Sequence, residues 1–327
     1  MHILVTGAAG MIGRKLTEAL IARGTLQGQP ITALTLVDVV APTLPVGTPG
    51  AALAVDLADP AAGPALIETR PDVIFHLAAI VSGEAEAKTS MGYAVNLGGT
   101  VALCDAIVAQ SDYCPRFVFT SSIAVFGTPL PDVIDDTFQP RPLTSYGTQK
   151  LMGEMLIDDL SRKGLMDGIS LRFPTICIRP GKPNAAASGF YSSILREPLI
   201  GQEAVLPVPD TTRHWFASPR AAVGFLLHAA EMDLAPMGQS RALNLPGVDA
   251  TVADEIAALE RVAGPDATAL IRHVPDETVA AIVGNWPRAF DPGRARSLGF
   301  EAEPDMDTII RAHVEDELDG NIPVAKG

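Results

Sequence analysis

The chain has 327 residues, 47% of them hydrophobic and 19% charged, which is room for about two domains. Its formal net charge of -14, from 24 basic against 38 acidic residues, repels a phosphate polymer or an anionic surface, so nucleic acid is not an expected partner. No unbroken apolar run reaches the roughly 18 residues that read as a membrane span, and no membrane association is expected.

Ile3–Thr6 is a short apolar run, followed by a glycine-rich turn from Gly7 to Gly13 and a stretch, Arg14–Arg23, with Leu16 and Leu20 at helical spacing. This predicts strand, turn and helix. Further apolar runs at Leu34–Asp38, Ala52–Val55, Val73–His76, Arg116–Thr120 and Ile169–Arg172 read as strands, with helices at Ser90–Ala109 and Tyr146–Arg162. Alternating strands and helices, with strands near-continuously apolar rather than alternating, predict a doubly wound α/β domain of Rossmann type with a parallel sheet. Past Pro174, where Pro, Gly and Asn cluster, a smaller, irregular domain is expected. Ala221–Ala230 and Ala242–Pro246 read as a returning helix and strand. The expected division is 1–173 plus about 219–247 for a dinucleotide, about 174–218 plus 248–320 for a substrate, and a tail at 321–327.

Three cysteines, Cys104, Cys114 and Cys177, form no Cys-x-x-Cys pair and have no His at ligand spacing. No metal site is expected, and the thiols read as reduced in a cytoplasmic setting. His2-Ile-Leu-Val-Thr reads as a working strand rather than a secretory leader.

Gly7, Gly10 and Gly13 lie between a strand and a helix, the place where a tight turn, close backbone approach to a pyrophosphate and helix–strand packing each call for a glycine. Asp38 ends the second long strand, where a carboxylate accepts from both ribose hydroxyls. Val39 and Val40 follow it rather than a base, so NAD is expected over NADP. The spacing from the triplet exceeds the usual ~20 residues, and Thr25–Pro30 reads as an enlarged loop that absorbs the difference.

Taken in order, Thr6-Gly-Ala-Ala-Gly-Met-Ile-Gly13, Asp56-Leu57, His76-Leu-Ala-Ala79, Asn96, Thr120-Ser-Ser122 and Tyr146-x-x-x-Lys150 resemble the extended short-chain dehydrogenase/reductases, the NAD-dependent epimerase/dehydratase family, over roughly residues 1–250. The resemblance implies that Met11, Ile12, Asp56, Leu57, Leu77, Ala78, Ala79, Asn96, Pro174, Thr175 and Ile176 join the glycines and Asp38 in holding NAD. It also implies a homodimer built on the helices at 90–109 and 146–162.

Tyr146 and Lys150 share one helix face. A phenol with a reference pKa of about 10 becomes a base near neutrality only beside positive charge. Four Tyr and six Lys in the chain give roughly 0.07 chance pairs at this spacing. The family implies Tyr146 as general base, Lys150 as its charge partner and ribose contact, and Ser122 as the hydroxyl that orients the reacting oxygen, with neighbouring Ser121 the competing candidate. An Asn at 96 in a helix otherwise faces water.

Ser122 is followed by Ile123 and Ala124, not the acidic pair of a dehydratase. Arg172-Phe-Pro-Thr175 and Arg213-His214-Trp215 depart from the Arg-aromatic-aromatic-Asn and Arg-Asp-aromatic runs of nucleotide-sugar epimerases. These departures leave a dehydrogenase of a small hydroxy acid, and the resemblance implies NAD-dependent oxidation of the 2-hydroxyl of a small sugar acid, with Arg213 on the carboxylate and Ser82 and Asn184 on distal hydroxyls. Any one of Arg179, Arg196 and Arg220 reads as a surface residue. The alternatives are an epimerase that retains NAD and a protein that binds the dinucleotide without turnover.

Overall fold

The apolar strands of the first half form a seven-stranded, all-parallel sheet in the order Ala242–Asn244, Asp167–Phe173, Arg116–Ser122, Val73–His76, His2–Thr6, Ala33–Asp38, Gly50–Ala54. The structure, a computed structural model, describes residues 1–181 and 187–323. Every residue of Val73–His76 is buried, as a central strand covered on both faces requires. Helices enter as parallel crossovers: Met11–Arg23 after the first strand, and Ser145–Arg162 packed on strands Arg116–Ser122 and Asp167–Phe173.

The chain reaches Val73–His76 by crossing back over the first strand, so the order reverses between His2–Thr6 and Val73–His76. Ligands of open α/β sheets bind outside the carboxyl ends of the strands at such a reversal. His76 fixes the two strand ends together. Its Nδ1 lies 2.7 Å from the Thr6 hydroxyl and its Nε2 2.8 Å from that of Thr100. Because Thr100 donates onward to the Asn96 carbonyl at 2.8 Å, Nε2 is the protonated nitrogen and Thr6 donates to Nδ1. Burial, with Lys150's charge adding, pushes the His76 imidazole down to about 3, so it works as a neutral bridge.

Thr89–Val108 is apolar enough by length and composition to cross a membrane, with a mean hydropathy of 1.4 over its window. It is a core helix instead. Its C-terminal part, Gly99–Val108, packs against helices Ala62–Ile67 and Ser145–Arg162, and Leu103, Cys104 and Ile107 are buried. Residues 93–98 within it form a π-helical turn, a feature that often marks functional positions.

Two compact units divide the described chain: Met1–Val125, Pro140–Phe173 and Val223–Asn244 in the first, and Phe126–Gln139, Pro174–Ala222 and Leu245 onward in the second. Segment Phe126–Gln139 goes with the second unit because Phe126 packs on Phe138 and Phe290, and Ile134 exchanges backbone hydrogen bonds with Ala289 and Asp291. That unit holds a three-stranded sheet, Val248–Thr251, Arg213–Ala217 and Thr175–Ile176, and helices Gly189–Leu199, Val252–Ala263 and Met306–Glu317 around one apolar core. A capping box of Thr251 and Asp254 starts helix Val252–Ala263.

Glu255, one turn into that helix, is fully buried, and neither carboxyl oxygen has a hydrogen-bond partner among the described residues. Burial, with Asp254 adding, raises its pKa well above the carboxylate range. The folded state holds it protonated while the unfolded chain ionises it above about 4.5, so its contribution to stability is full in acid and is lost as pH rises. Glu255→Gln is expected to raise Tm by at least about 3 °C at pH 8 and to lose that advantage near pH 4.5. Thermal melts across this range check it, and a gain independent of pH would show that Glu255 is not held as the acid.

Candidate functional site

At the strand reversal the first turn closes on the loop after His76. Gly7 has φ +75°, and a Cβ there would lie 2.7 Å from the Ala78 nitrogen; a Cβ on Gly13 would lie 2.2 Å from the Gly7 carbonyl oxygen. Both contacts are impossible for any other residue, so this turn has its shape only as glycine. Gly10 is the N-cap of helix Met11–Arg23, and no side chain caps it. The N–H groups of that first turn, with Met11 and Ile12 at its head, have no side-chain cap, and such groups are the kind that an anion engages.

Asp38, at the carboxyl end of strand Ala33–Asp38, accepts from the Ala9 N–H at 3.0 Å and from the Val39 N–H at 2.7 Å. These two bonds aim the carboxylate beside the glycine turn and leave lone pairs for ribose hydroxyls. Val39 and Val40, both exposed, supply no cation of their own for a 2′-phosphate. Asp56 is exposed and caps its own turn through Ala58, Leu57 is buried, and Leu77, Ala78 and Ala79 line the loop that meets Gly7. The cradle that a Cβ would fill, the uncapped helix start and the aimed carboxylate together fit a dinucleotide.

Asn96 does not face water. It lies buried in the π turn, accepts from the Ile80 N–H at 2.7 Å, and donates to the Ile80 carbonyl at 3.0 Å and to Gln149 Oε1 at 2.8 Å. Its amide clamps the loop after strand Val73–His76 to helix Ser145–Arg162. Ser82 sits at the start of the short helix Ser82–Ala87 that follows that loop.

Ser145–Arg162 begins at Thr144, whose hydroxyl accepts from the Gly147 N–H at 3.1 Å. A Cβ on Gly147 would lie 2.1 Å from the Ala124 carbonyl oxygen. Gly147 therefore lets the start of the helix, which carries Tyr146, press against the turn that carries Ser122. Sequence reasoning passes over Gly147; the signal available was a glycine inside a helix, directly after the candidate base. Ser122 accepts from the Ala124 N–H at 3.1 Å, which leaves its O–H for another acceptor. Ser121 is committed elsewhere, since its buried hydroxyl donates to Glu154.

Lys150 is 1% exposed. Its Nζ lies 4.6 Å from the centre of the Phe119 ring and 5.8 Å from that of Tyr146. Burial pushes its amine down to about 7, against the pull of Glu154 in the other direction. The first unit thus brings Ser122, Tyr146 and Lys150 to the edge where the glycine turn lies.

Pro174, Thr175, Ile176 and Arg213 belong to the second unit. Thr175 lies 2.6 Å from His214 Nε2. The other nitrogen of that buried ring donates to the Pro287 carbonyl at 3.0 Å, so Thr175 donates to His214. Arg213 pairs side-on with Asp249 through Nε, at 2.6 Å, and Nη2. Arg196 is not a surface residue: it is buried, bonds the Arg179 carbonyl at 2.6 Å and pairs with Glu197. Arg220 pairs with Glu315 and Asp316 at the surface. Asn184 falls outside the described residues.

Fold and glycine turn define a dinucleotide-binding α/β enzyme. A model of the NAD dependent epimerase/dehydratase family matches residues 3–231, and the chain belongs to that family as an NAD-dependent enzyme. The D-erythronate dehydrogenase of Cupriavidus necator is 46% identical to it over 323 residues, 97% of this chain and 98% of that protein. That of Haemophilus influenzae is 40% identical over 322 residues, 97% of this chain and 100% of that one. Among solved structures, the nucleoside-diphosphate-sugar epimerase from Agrobacterium tumefaciens is 56% identical with a TM-score of 0.97, covering 98% of this chain and 96% of that one.

Gly13→Ala is expected to leave the strands formed but to reduce NAD affinity by at least about tenfold, a loss of about 1.4 kcal/mol, measured by calorimetric titration. Unchanged affinity would remove the turn from the dinucleotide site.

Proposed function

We propose that this chain oxidises the 2-hydroxyl of D-erythronate to 2-oxo-tetronate with NAD. The observation that carries the reading is the intact set of Ser122, Tyr146 and Lys150 at the sheet edge, in a chain similar over its full length to two D-erythronate dehydrogenases. Bound NAD supplies the acceptor for the hydride that leaves C2. Gly7, Gly10, Met11, Ile12 and Gly13 would hold its pyrophosphate, Asp38 the adenosine ribose, Asp56 and Leu57 the adenine side, and Pro174, Thr175 and Ile176 the nicotinamide side.

Tyr146 Oη takes the proton from the C2 hydroxyl as the C–O bond becomes a carbonyl. Lys150 makes this possible by placing positive charge behind the phenol ring, which favours the phenolate. Ser122, held by the Ala124 N–H, donates its O–H to the reacting oxygen. Arg213 has Nη1 and the outer edge of Nη2 for the substrate carboxylate, because Asp249 takes the other edge. Ser82 and Asn184 serve the distal hydroxyls.

The Agrobacterium tumefaciens structure favours a second reading, an epimerase that keeps NAD bound and returns the hydride. Two features support the dehydrogenase: Thr175 stands where an epimerase carries Asn and is occupied with His214, and Arg213-His214-Trp215 replaces an epimerase's Arg-Asp-aromatic run. Incubation with excess NAD and a panel of four- to six-carbon aldonates separates the readings, since a dehydrogenase accumulates NADH and an epimerase does not. With D-erythronate, Tyr146→Phe is expected to lower kcat by at least about 100-fold, and Arg213→Ala to raise KM for the acid by at least about tenfold. A Tyr146→Phe protein of near-wild-type kcat would sink the general-base assignment, and an unchanged KM the clamp.

Dimerisation is part of this reading. Helices Gly99–Val108 and Ser145–Arg162 pack on each other and expose Val108, Met152 and Met155, the last at 67%, an apolar surface suited to a second copy. Met155→Glu is expected to convert dimer to monomer in sedimentation velocity, and an unaltered sedimentation coefficient would exclude this face. The three free thiols, two of them buried, suit a reducing, cytoplasmic compartment.

A further inference from the structure

Tyr146, Lys150 and Glu154 follow one another at intervals of four on helix Ser145–Arg162 and so stand on one face, a turn apart. Glu154 is 2% exposed. Its carboxylate is built into the fold: Ser121 donates to Oε1, Arg172 Nε donates to Oε1 at 3.0 Å, and Arg172 Nη2 donates to Oε2 at 2.7 Å. Arg172 is oriented in turn by Asn244 Oδ1, 3.2 Å from Nη1. Three strands of the sheet, Arg116–Ser122, Asp167–Phe173 and Ala242–Asn244, thus each contribute one side chain to place this carboxylate. None of these residues has a part in the chemistry proposed above.

We propose that Glu154 is a positioning residue for the reaction, fixed by Arg172 and Ser121 so that its carboxylate holds the ammonium form of Lys150 beneath Tyr146. The proposal rests on the reading of Tyr146 and Lys150 as base and charge partner.

Lys150 needs such a partner because its surroundings oppose its charge. Phe119 offers the face of a ring from strand Arg116–Ser122, a modest attraction. His76, on strand Val73–His76, is neutral. Asn96 and Gln149, which meet between the π turn and the helix, are uncharged. Arg172, from strand Asp167–Phe173, is a like charge. Glu86, from the short helix Ser82–Ala87, is engaged by the Ser145 N–H at the start of helix Ser145–Arg162, at 2.9 Å. Asp158, one turn beyond Glu154, is held toward its protonated form by burial and bonds the Arg241 N–H. Among the described residues Glu154 is the charge that raises the affinity of Lys150 for its proton, against burial that brings the amine to about 7.

The sign of the effect follows. Without the Glu154 charge, Lys150 loses an attraction and keeps the repulsion of Arg172, so it deprotonates at lower pH. A neutral amine no longer favours the phenolate of Tyr146, and the enzyme then needs a higher pH to reach its plateau.

The six lysines of the chain make a direct measurement simple. Protein labelled with carbon-13 at lysine Cε gives few signals, and the one lost in Lys150→Arg is that of Lys150. In Glu154→Gln its titration midpoint is expected to fall by about one unit or more, and the rising limb of kcat/KM for D-erythronate to move to higher pH. Glu154→Asp retains the charge but withdraws it, and is expected to give a smaller fall in the same direction; it carries the test if the Gln variant fails to fold. A Lys150 midpoint that stays within a few tenths of a unit in a folded Glu154 variant overturns the proposal. The NMR titration needs no turnover, so the two readings fail separately. An active Tyr146→Phe enzyme removes the base and leaves the lysine shift standing, whereas an unshifted lysine removes Glu154 alone.

Discussion

A lysine ammonium withdrawn from water is unstable unless the protein replaces its hydration, and Lys150 at 1% exposure is the group around which the first unit is arranged. Phe119, the neutral ring of His76 and the carboxylate of Glu154 are its electrostatic surroundings. Each comes from an element that also builds the dinucleotide edge. His76 closes the strand reversal through Thr6 and Thr100, and Thr100 returns to Asn96, whose amide fixes the next loop to the lysine's own helix. The hydrogen bonds that close the strand reversal and those that fix the lysine's helix run through the same residues, so loosening one would disturb the other.

What could be read in the sequence was whatever depends on short-range geometry. The Gly7–Gly13 turn, Asp38 at a strand end and Tyr146 four residues before Lys150 are local patterns with a local reason, and they fall at one edge of the sheet. The strands were legible because central parallel strands carry apolar residues on both faces, as Val73–Phe75 and Phe117–Phe119 do. Features set by distant partners were not. The family resemblance sets Asn96 among the residues that hold NAD, its plain alternative being a solvent-facing helix position, and nothing local announces the π turn or its bonds to Ile80 and Gln149. Arg196 read as a surface cation and is buried against Arg179 and Glu197. Glu154 was invisible for the same reason: its meaning comes from Arg172 and Ser121, which are remote in sequence. The choice of Ser122 over Ser121, which the family resemblance already favours, gains its physical reason from the structure, where the Ser121 hydroxyl is taken by Glu154.

The role proposed for Arg213 as the carboxylate clamp bears on the size of substrate that would suit it. A guanidinium can engage two bidentate partners, one side-on through Nε and one end-on through the terminal nitrogens. Asp249, on the strand antiparallel to that of Arg213, takes the side-on edge. What remains is one planar edge on a pair whose charges nearly cancel, within a chain of net charge -14. A nucleotide diphosphate, with several negative oxygens to satisfy, would meet too little positive charge here and a competing carboxylate beside it. A single carboxylate needs only a planar, pre-oriented pair of N–H donors, and a partner that stiffens the arginine lowers the entropy lost when the acid binds. The pairing that looks at first like the loss of a clamp is therefore better suited to a small hydroxy acid than an unrestrained arginine would be.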